Sequence, residues 1–309
     1  MGRGVSRHVS RQVSHWEAIG VALAGFAFWV FTDTCVKIAG NSRLPIYEIS
    51  MSMGLVSVVA LFLRAAVQRN LRVLLPRNIK AHAVRSCLDL ANNLGVVVAL
   101  RHLPLTLFYI LVFLAPMVTA LLSAVFLRER LSWQKIVAVL LGFAGVVVAV
   151  NPFGAARQGD WMGYAACMVC VACFSANMVW SRVLTQTETP ESLTFSSGIV
   201  LTVFGSLMLL WHAEPLTMRL TATLLAVGIF YTLGTMCFFF ALKHTSAVHV
   251  SQCHYTQLVT GAIVTYVLWR ETPTVFMICG AVLIVVAGFL MAVAMGQKHH
   301  SNPEFFAGD

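Results

Sequence analysis

A 31-residue stretch occurs twice in this chain, and it constrains the fold more than any other feature. Residues 99–129, ALRHLPLTLFYILVFLAPMVTALLSAVFLRE, lie over residues 241–271, ALKHTSAVHVSQCHYTQLVTGAIVTYVLWRE, at an offset of 142 without a gap. Seven of the 31 positions are identical, and five of those seven sit at the two ends. Ala99, Leu100 and His102 meet Ala241, Leu242 and His244, while Arg128-Glu129 meets Arg270-Glu271. The apolar run between the ends is as long as a bilayer requires, about 20 residues. A membrane-length run recurs easily by chance. One framed at both ends by the same short motif points to two copies of one membrane module.

The composition admits little else. Hydrophobic residues make up 59% of the 309 and charged residues 11%, where a soluble domain carries roughly 25% charged. Ten apolar segments of membrane-spanning length are predicted: Glu17–Ile38, Pro45–Leu63, His82–Ala99, Pro104–Leu127, Gln134–Val150, Trp161–Val183, Ser192–Trp211, Thr221–Leu242, Ala247–Trp269 and Thr274–Met295. The connectors are short, and only Arg64–Lys80 approaches a loop. Trp16, Trp133, Trp161, Trp211 and Trp269 stand at segment ends, where an amphipathic ring prefers the headgroup level. The first segment contains Asp33 and Lys37 and lacks a small-residue cleavage site, so it reads as a retained helix rather than a signal peptide.

Lysine and arginine set the expected orientation. With the N-terminus inside, 14 of the 21 fall on the cytoplasmic side and five outside. Both termini are then cytoplasmic, and the net charge of +9 follows from membrane topology without nucleic acid. Five helices per copy is an odd number, so the second copy enters from the opposite side. The expected fold is therefore an all-α polytopic membrane protein of ten helices, arranged as two inverted five-helix repeats. The expected division is a tail (1–16), a first repeat (17–151), a second repeat (152–295) and a second tail (296–309). Inverted repeats are typical of secondary transporters, which bind cargo near the midplane between halves.

Ionisable groups inside membrane helices are costly, so each invites a reason. Asp33 and Lys37 are four apart on one face of the first helix, with Trp29 a turn earlier. Arg85 and Asp89 repeat the spacing in the third, with Asn92 and Asn93 continuing the stripe. Two intrahelical ion pairs are the structural alternative. The functional reading is a polar cavity wall, in which Asp33 or Asp89 binds an ammonium or takes a proton and Arg85 or Lys37 holds a carboxylate. Glu48 reads as an interfacial charge at the start of the second helix.

The two copies differ most where His249, Ser251, Gln252, His254, Tyr255, Thr256 and Gln257 face Leu107–Ala115 of the first copy. So many polar groups cannot all face lipid, which makes His249, Gln252, His254 and Tyr255 cavity candidates. His249 joins Asp33 and Asp89 as a proton-coupling candidate, because an imidazole titrates near neutrality. Asn177 and Trp180 share a face of the sixth helix, and Trp180 with Trp29 is expected to form a symmetric pair flanking the cavity. Tyr109 is a further candidate. For each, packing within a large bundle is the structural alternative. Cys167, Cys170 and Cys173 share a helix face, but buried thiols there read as packing rather than metal ligands. All eight cysteines lie in apolar runs, which excludes a secreted-type disulfide framework. No enzyme motif, nucleotide-binding loop, metal site or cofactor site is present in the sequence.

The Ala-Leu-Arg/Lys-His motif, the long apolar helix, the Arg-Glu and a further helix with spaced glycines (Gly142 and Gly145; Gly280 and Gly288) together resemble the EamA-type unit of the drug/metabolite transporter superfamily. Pro116 lies mid-helix in the first copy, as in that family, where the second has Leu258. Arg85 opening the third helix, then Asn92 and Asn93, is similar to a branch with bacterial metabolite exporters and S-adenosylmethionine or riboflavin uptake carriers. The resemblance implies a gradient-driven carrier in the inner membrane working by alternating access, as a monomer or homodimer. The expected cargo is a small polar metabolite, an amino acid or similar zwitterion, exported, with the proton as candidate coupling ion. Uptake of a nucleoside-like or vitamin-like solute is the alternative, and an intramembrane lipid-modifying enzyme a remote one.

Overall fold

The computed structural model describes residues 14–41, 44–126, 133–150, 160–210, 217–245, 250, 253–254 and 256–296. These residues form helices and connections, with no strand among them. In chain order the helices are α1 (His15–Asn41), α2 (Ile46–Val67), α3 (Ile79–His102), α4 (Leu105–Val112), α5 (Ala115–Phe126), α6 (Trp133–Val150), α7 (Trp161–Leu184), α8 (Pro190–Leu209), α9 (Met218–His244), α10 (Thr256–Trp269) and α11 (Val275–Gly296). Six of them (α1, α2, α3, α7, α8 and α9) are long and apolar enough to cross a bilayer, with mean hydropathy between 1.3 and 2.0. The protein is a multi-pass α-helical membrane protein.

The count differs from ten because the fourth predicted segment is broken. The chain turns at Phe113 and Leu114, between α4 and α5. Pro116 has no N–H to give to the carbonyl one turn back, and its ring crowds that turn. The corresponding segment of the second copy also turns, at His254 just before α10. His254 lies 142 residues past Val112, the last residue of α4, so the two breaks fall within about a residue of each other.

The packing follows the same offset. α1 packs on α9 and α3 on α7, which are equivalent pairs, while α2 packs on α8 and α6 on α11, each helix on its own counterpart. Glycine permits the two counterpart crossings. A Cβ on Gly54 would lie 2.5 Å from the Gly198 carbonyl oxygen, and one on Gly198 would lie 3.1 Å from the Gly54 oxygen. Gly145 and Gly280 face each other's carbonyl oxygens in the same reciprocal way. Small residues let helix backbones approach closely in lipid, where dispersion replaces the hydrophobic drive. The predicted fifth and tenth helices thus brace one another.

Both ends of the bundle are tied by polar contacts. At one end Lys37 donates to the Leu103 carbonyl (2.9 Å) and Arg101 to that of Leu44. His102 meets Asp160, the N-cap of α7, at 2.7 Å. Asp160 accepts the Gly163 N–H (3.0 Å); that bond and His102 hold its carboxyl below the usual range. At the other end Glu188 accepts the N–H groups of Arg77 (3.0 Å) and Asn78 (3.2 Å) and lies 3.4 Å from His82 Nε2. Glu48, expected at the interface, is buried in the first turn of α2, where the helix dipole favours a carboxylate. Trp16, Trp133 and Trp161 are largely exposed, and Trp211 lies outside the described residues.

Candidate functional site

Between the halves lies a cavity of about 90 Å³. Its acidic groups come from two helices with the same design. On α1, Asp33 stands a turn beyond Trp29; on α3, Asn92 and Asn93 follow Asp89 by a turn. α4 contributes Tyr109, α7 contributes Cys170, Phe174 and Asn177, and α9 contributes Tyr231, Thr235 and Phe238. The turn before α10 brings in His254, and the first turn of α10 brings in Gln257.

Each carboxylate is held by a tyrosine from another helix. Tyr109, 1% exposed, donates its hydroxyl to Asp33 Oδ2 at 3.0 Å. Tyr231 donates to Asp89 Oδ2 at 2.8 Å, and Asn177 Nδ2 reaches Asp89 Oδ1 at 3.4 Å. Residues 89 and 231 are separated by 142, the repeat offset. They occupy equivalent positions in the two copies, so their hydrogen bond lies at the pseudo-twofold axis relating them. Asn93 Nδ2 donates to its own helix at the Asp89 carbonyl (2.8 Å), and the Cys170 thiol donates to Asn92 Oδ1 (3.0 Å).

Aromatic rings make up the rest of the wall. Trp29 packs edge-on against Phe174 and tilted against Phe238, at centroid distances of 6.1 and 5.0 Å. His254 stacks on Phe26 at 4.9 Å and meets Phe174 at 5.4 Å. Gln257 Nε2 donates to the Phe26 carbonyl at 3.1 Å, which pins the turn to α1.

Of the residues singled out from sequence, Trp29, Asp33, Asp89, Asn92, Asn93, Tyr109, Asn177 and His254 line this cavity. Lys37, Arg85 and Trp180 do not. The ion pairs among the described residues are Arg64–Glu191, His82–Glu188 and His102–Asp160, and none joins Asp33 to Lys37 or Arg85 to Asp89. The four-residue spacing puts each pair on one face, but Lys37 and Arg85 each find a partner elsewhere in the chain. Lys37 bonds the Leu103 carbonyl, and Arg85 bonds α8. Trp180 is 42% exposed and donates its Nε1–H to the Ala81 carbonyl at 3.1 Å. The residue equivalent to Trp29 is Val171, and Trp180 is nine residues further, about 13 Å along the helix. The two tryptophans are not a symmetric pair. His249, Gln252 and Tyr255 lie outside the described residues.

Tyr231, Thr235, Phe238 and Thr32 also line the cavity and are not among the sequence candidates, whereas Gln257 belongs to the polar run at residues 249–257. α9 reads as an unbroken apolar run in sequence, which hid Tyr231. The repeat offset applied to Asp89 points straight to it. Among the described residues no three His, Cys, Asp or Glu side chains gather as metal ligands.

The family model described as the EamA-like transporter family matches residues 16–151 and again 161–293. The chain belongs to that family. Its two matches fit an inverted repeat. It is 30% identical over 278 residues to the pseudopaline exporter CntI of Pseudomonas aeruginosa, covering 87% of this chain and 94% of that one. It is 25% identical to an S-adenosylmethionine uptake transporter of Rickettsia bellii, over 67% and 70% of the two chains. A riboflavin transporter of Brucella anthropi is 22% identical, over 76% and 84%. A crystal structure of a protein 18% identical superposes with a TM-score of 0.65 over 91% of this chain and 99% of that one, which shows the shared fold. Family and relatives point to a transporter rather than an enzyme. The chain is a metabolite transporter, with a small-molecule cargo and a membrane setting.

Proposed function

We propose that this transporter is a gradient-driven carrier for a small organic metabolite bearing an amine, bound between the repeats and moved by alternating access. The observation that carries this reading is the charge of the cavity. Asp33 and Asp89 line it, and no lysine or arginine does among the described residues. A cation held against two carboxylates and several aromatic faces gains from both. The amides of Asn92, Asn93, Asn177 and Gln257 supply neutral donors and acceptors for the rest of the cargo. An amino acid remains within the class.

The cavity is smaller than the roughly 300–1,000 Å³ of typical ligand pockets, so cargo enters only when the halves part. Alternating access is the motion that inverted repeats perform. A proton competing with the amine at Asp33 or Asp89 is a natural coupling device. Export across an inner membrane, with both termini cytoplasmic, fits the charge bias of the loops, and the pseudopaline exporter is consistent with that direction. The test is reconstitution into proteoliposomes with a panel of amines, amino acids, nucleosides and vitamins, with and without a pH gradient. Gradient-driven accumulation of an amine-bearing solute is expected. A panel in which nothing moves removes the carrier reading.

A further inference from the structure

Arg85 is the largest fully buried side chain described, at 0% exposure, and its charge has no carboxylate partner there. Its Nη2 is engaged: it donates to the Leu193 carbonyl (2.5 Å) and to Ser197 Oγ (2.7 Å), with Ser196 Oγ at 3.3 Å and Ser86 Oγ at 3.5 Å. Its Nε and Nη1 are buried without a hydrogen-bond partner. A buried guanidinium with no carboxylate at ion-pair distance and two N–H groups without partners is strongly destabilising. The nearby acids are committed elsewhere. Asp89, one turn on, holds Tyr231, and Glu188 holds the backbone of residues 77 and 78 and His82.

The guanidinium lies directly behind the cavity wall. Its Cζ is 5.0 Å from the ring centroid of Phe239, and Phe239 lines the cavity. Arg85 and Asp89 are four residues apart on α3, about 6 Å along the axis. That is a spacing over which a small aminocarboxylate presents opposite charges. Hydrogen bonds from a guanidinium to a carboxylate are charge-assisted, and Nε and Nη1, on opposite edges of the group, each keep an N–H free for a single such bond.

We propose that Arg85, with Ser196 and Ser197, is an anion subsite for the carboxylate of an aminocarboxylate cargo, and that Phe239 is the shutter between this subsite and the cavity. The cargo then spans both, its ammonium toward Asp89 and its carboxylate toward Arg85. This rests on the amine-binding reading of the cavity. A free inorganic anion offers the same charge, so the test separates the two sources.

Thermal unfolding of the full-length protein in detergent is measured with sodium acetate, sodium chloride or sodium gluconate at matched ionic strength, and separately with tyrosine or tyramine, which differ only by a carboxylate. Acetate is expected to raise the midpoint above that in chloride or gluconate, and tyrosine is expected to stabilise more than tyramine. Arg85→Gln removes the acetate increment and makes tyrosine and tyramine equal. Arg85→Lys, which keeps the charge and loses the planar set of donors, retains only part of both, and serves if Arg85→Gln does not fold. Equal stabilisation by chloride assigns the site to inorganic anions and overturns the carboxylate assignment, as does an acetate increment that survives both substitutions or no increment at all. The cavity is scored independently. Asp89→Asn abolishes stabilisation by tyramine and leaves that by acetate. Tyramine binding without acetate binding sinks the subsite alone, and acetate binding without tyramine binding sinks the amine reading alone.

Discussion

The Asp89–Tyr231 hydrogen bond joins equivalent positions of the two repeats, and removing it should be measurable. Tyr231→Phe deletes the hydroxyl that donates to Asp89 Oδ2 at 2.8 Å and leaves the ring to fill its space. The bond is short, partly buried and made to an ionisable acceptor, and such bonds contribute about 1.5–3 kcal/mol. Asn177 remains at 3.4 Å from the other oxygen, a longer contact that replaces little of it. Tyr231→Phe should therefore destabilise by about 1.5–3 kcal/mol, roughly 10- to 150-fold in the unfolding equilibrium. The assay is a double-mutant cycle on the detergent-solubilised protein, with unfolding free energies for Tyr231→Phe, Asp89→Asn and the pair. The coupling energy should be about 0.5–3 kcal/mol. The cycle between Tyr231→Phe and Tyr109→Phe is the control, because Tyr109 serves Asp33 instead, and it should add within about 0.5 kcal/mol. Additive effects of Tyr231→Phe and Asp89→Asn would refute the bond and the axis drawn through it.

Two further outcomes follow from the packing. Gly54→Ala forces a Cβ to within 2.5–2.7 Å of Gly198 and Thr202 atoms, whereas Gly198→Ala meets its neighbours at 3.1–3.2 Å. Overpacking of this kind costs about 1–3 kcal/mol, so Gly54→Ala should lower the unfolding midpoint more than Gly198→Ala, as read by thiol-reactive dye entering the bundle at buried Cys167 and Cys170. Asp160, just outside the α7 span, has its carboxyl held low by the Gly163 N–H and His102. A depressed carboxyl contributes stability above its unfolded value, near pH 3.9, and loses it as pH falls through its lower folded value. The midpoint gap between wild type and Asp160→Ala should thus be full at neutral pH and shrink below about pH 4; a gap that is constant with pH removes the capping role.

The helical membrane fold was legible because lipid leaves so few choices. Apolar runs of bilayer length must be helices, and the 142-residue offset exposes the repeat. The cavity was legible where the signal was a polar group in an apolar run, as at Asp33, Asp89, Asn177 and His254. It failed where a side chain of mixed character hid in such a run, as at Tyr231 and Thr235. It also failed where spacing along one helix was read as partnership. Asp33 and Lys37 do share a face, but Lys37 is longer and reaches the Leu103 carbonyl, and Arg85 turns to α8. Which helix stands opposite is a tertiary fact that periodicity does not carry. The break at Phe113–Leu114 was foreshadowed by Pro116, whereas the matching turn at His254 has no proline to announce it.

The central claim is that two carboxylates, unaccompanied by a basic side chain in the cavity, select an amine. The direct measurement is transport in proteoliposomes of cationic, zwitterionic, neutral and anionic solutes by wild type, Asp33→Asn and Asp89→Asn. Amine-bearing solutes should move in wild type and lose at least tenfold in rate in each variant, with the protein still inserted and folded. Transport of anions lacking an amine, undiminished by either substitution, would contradict it.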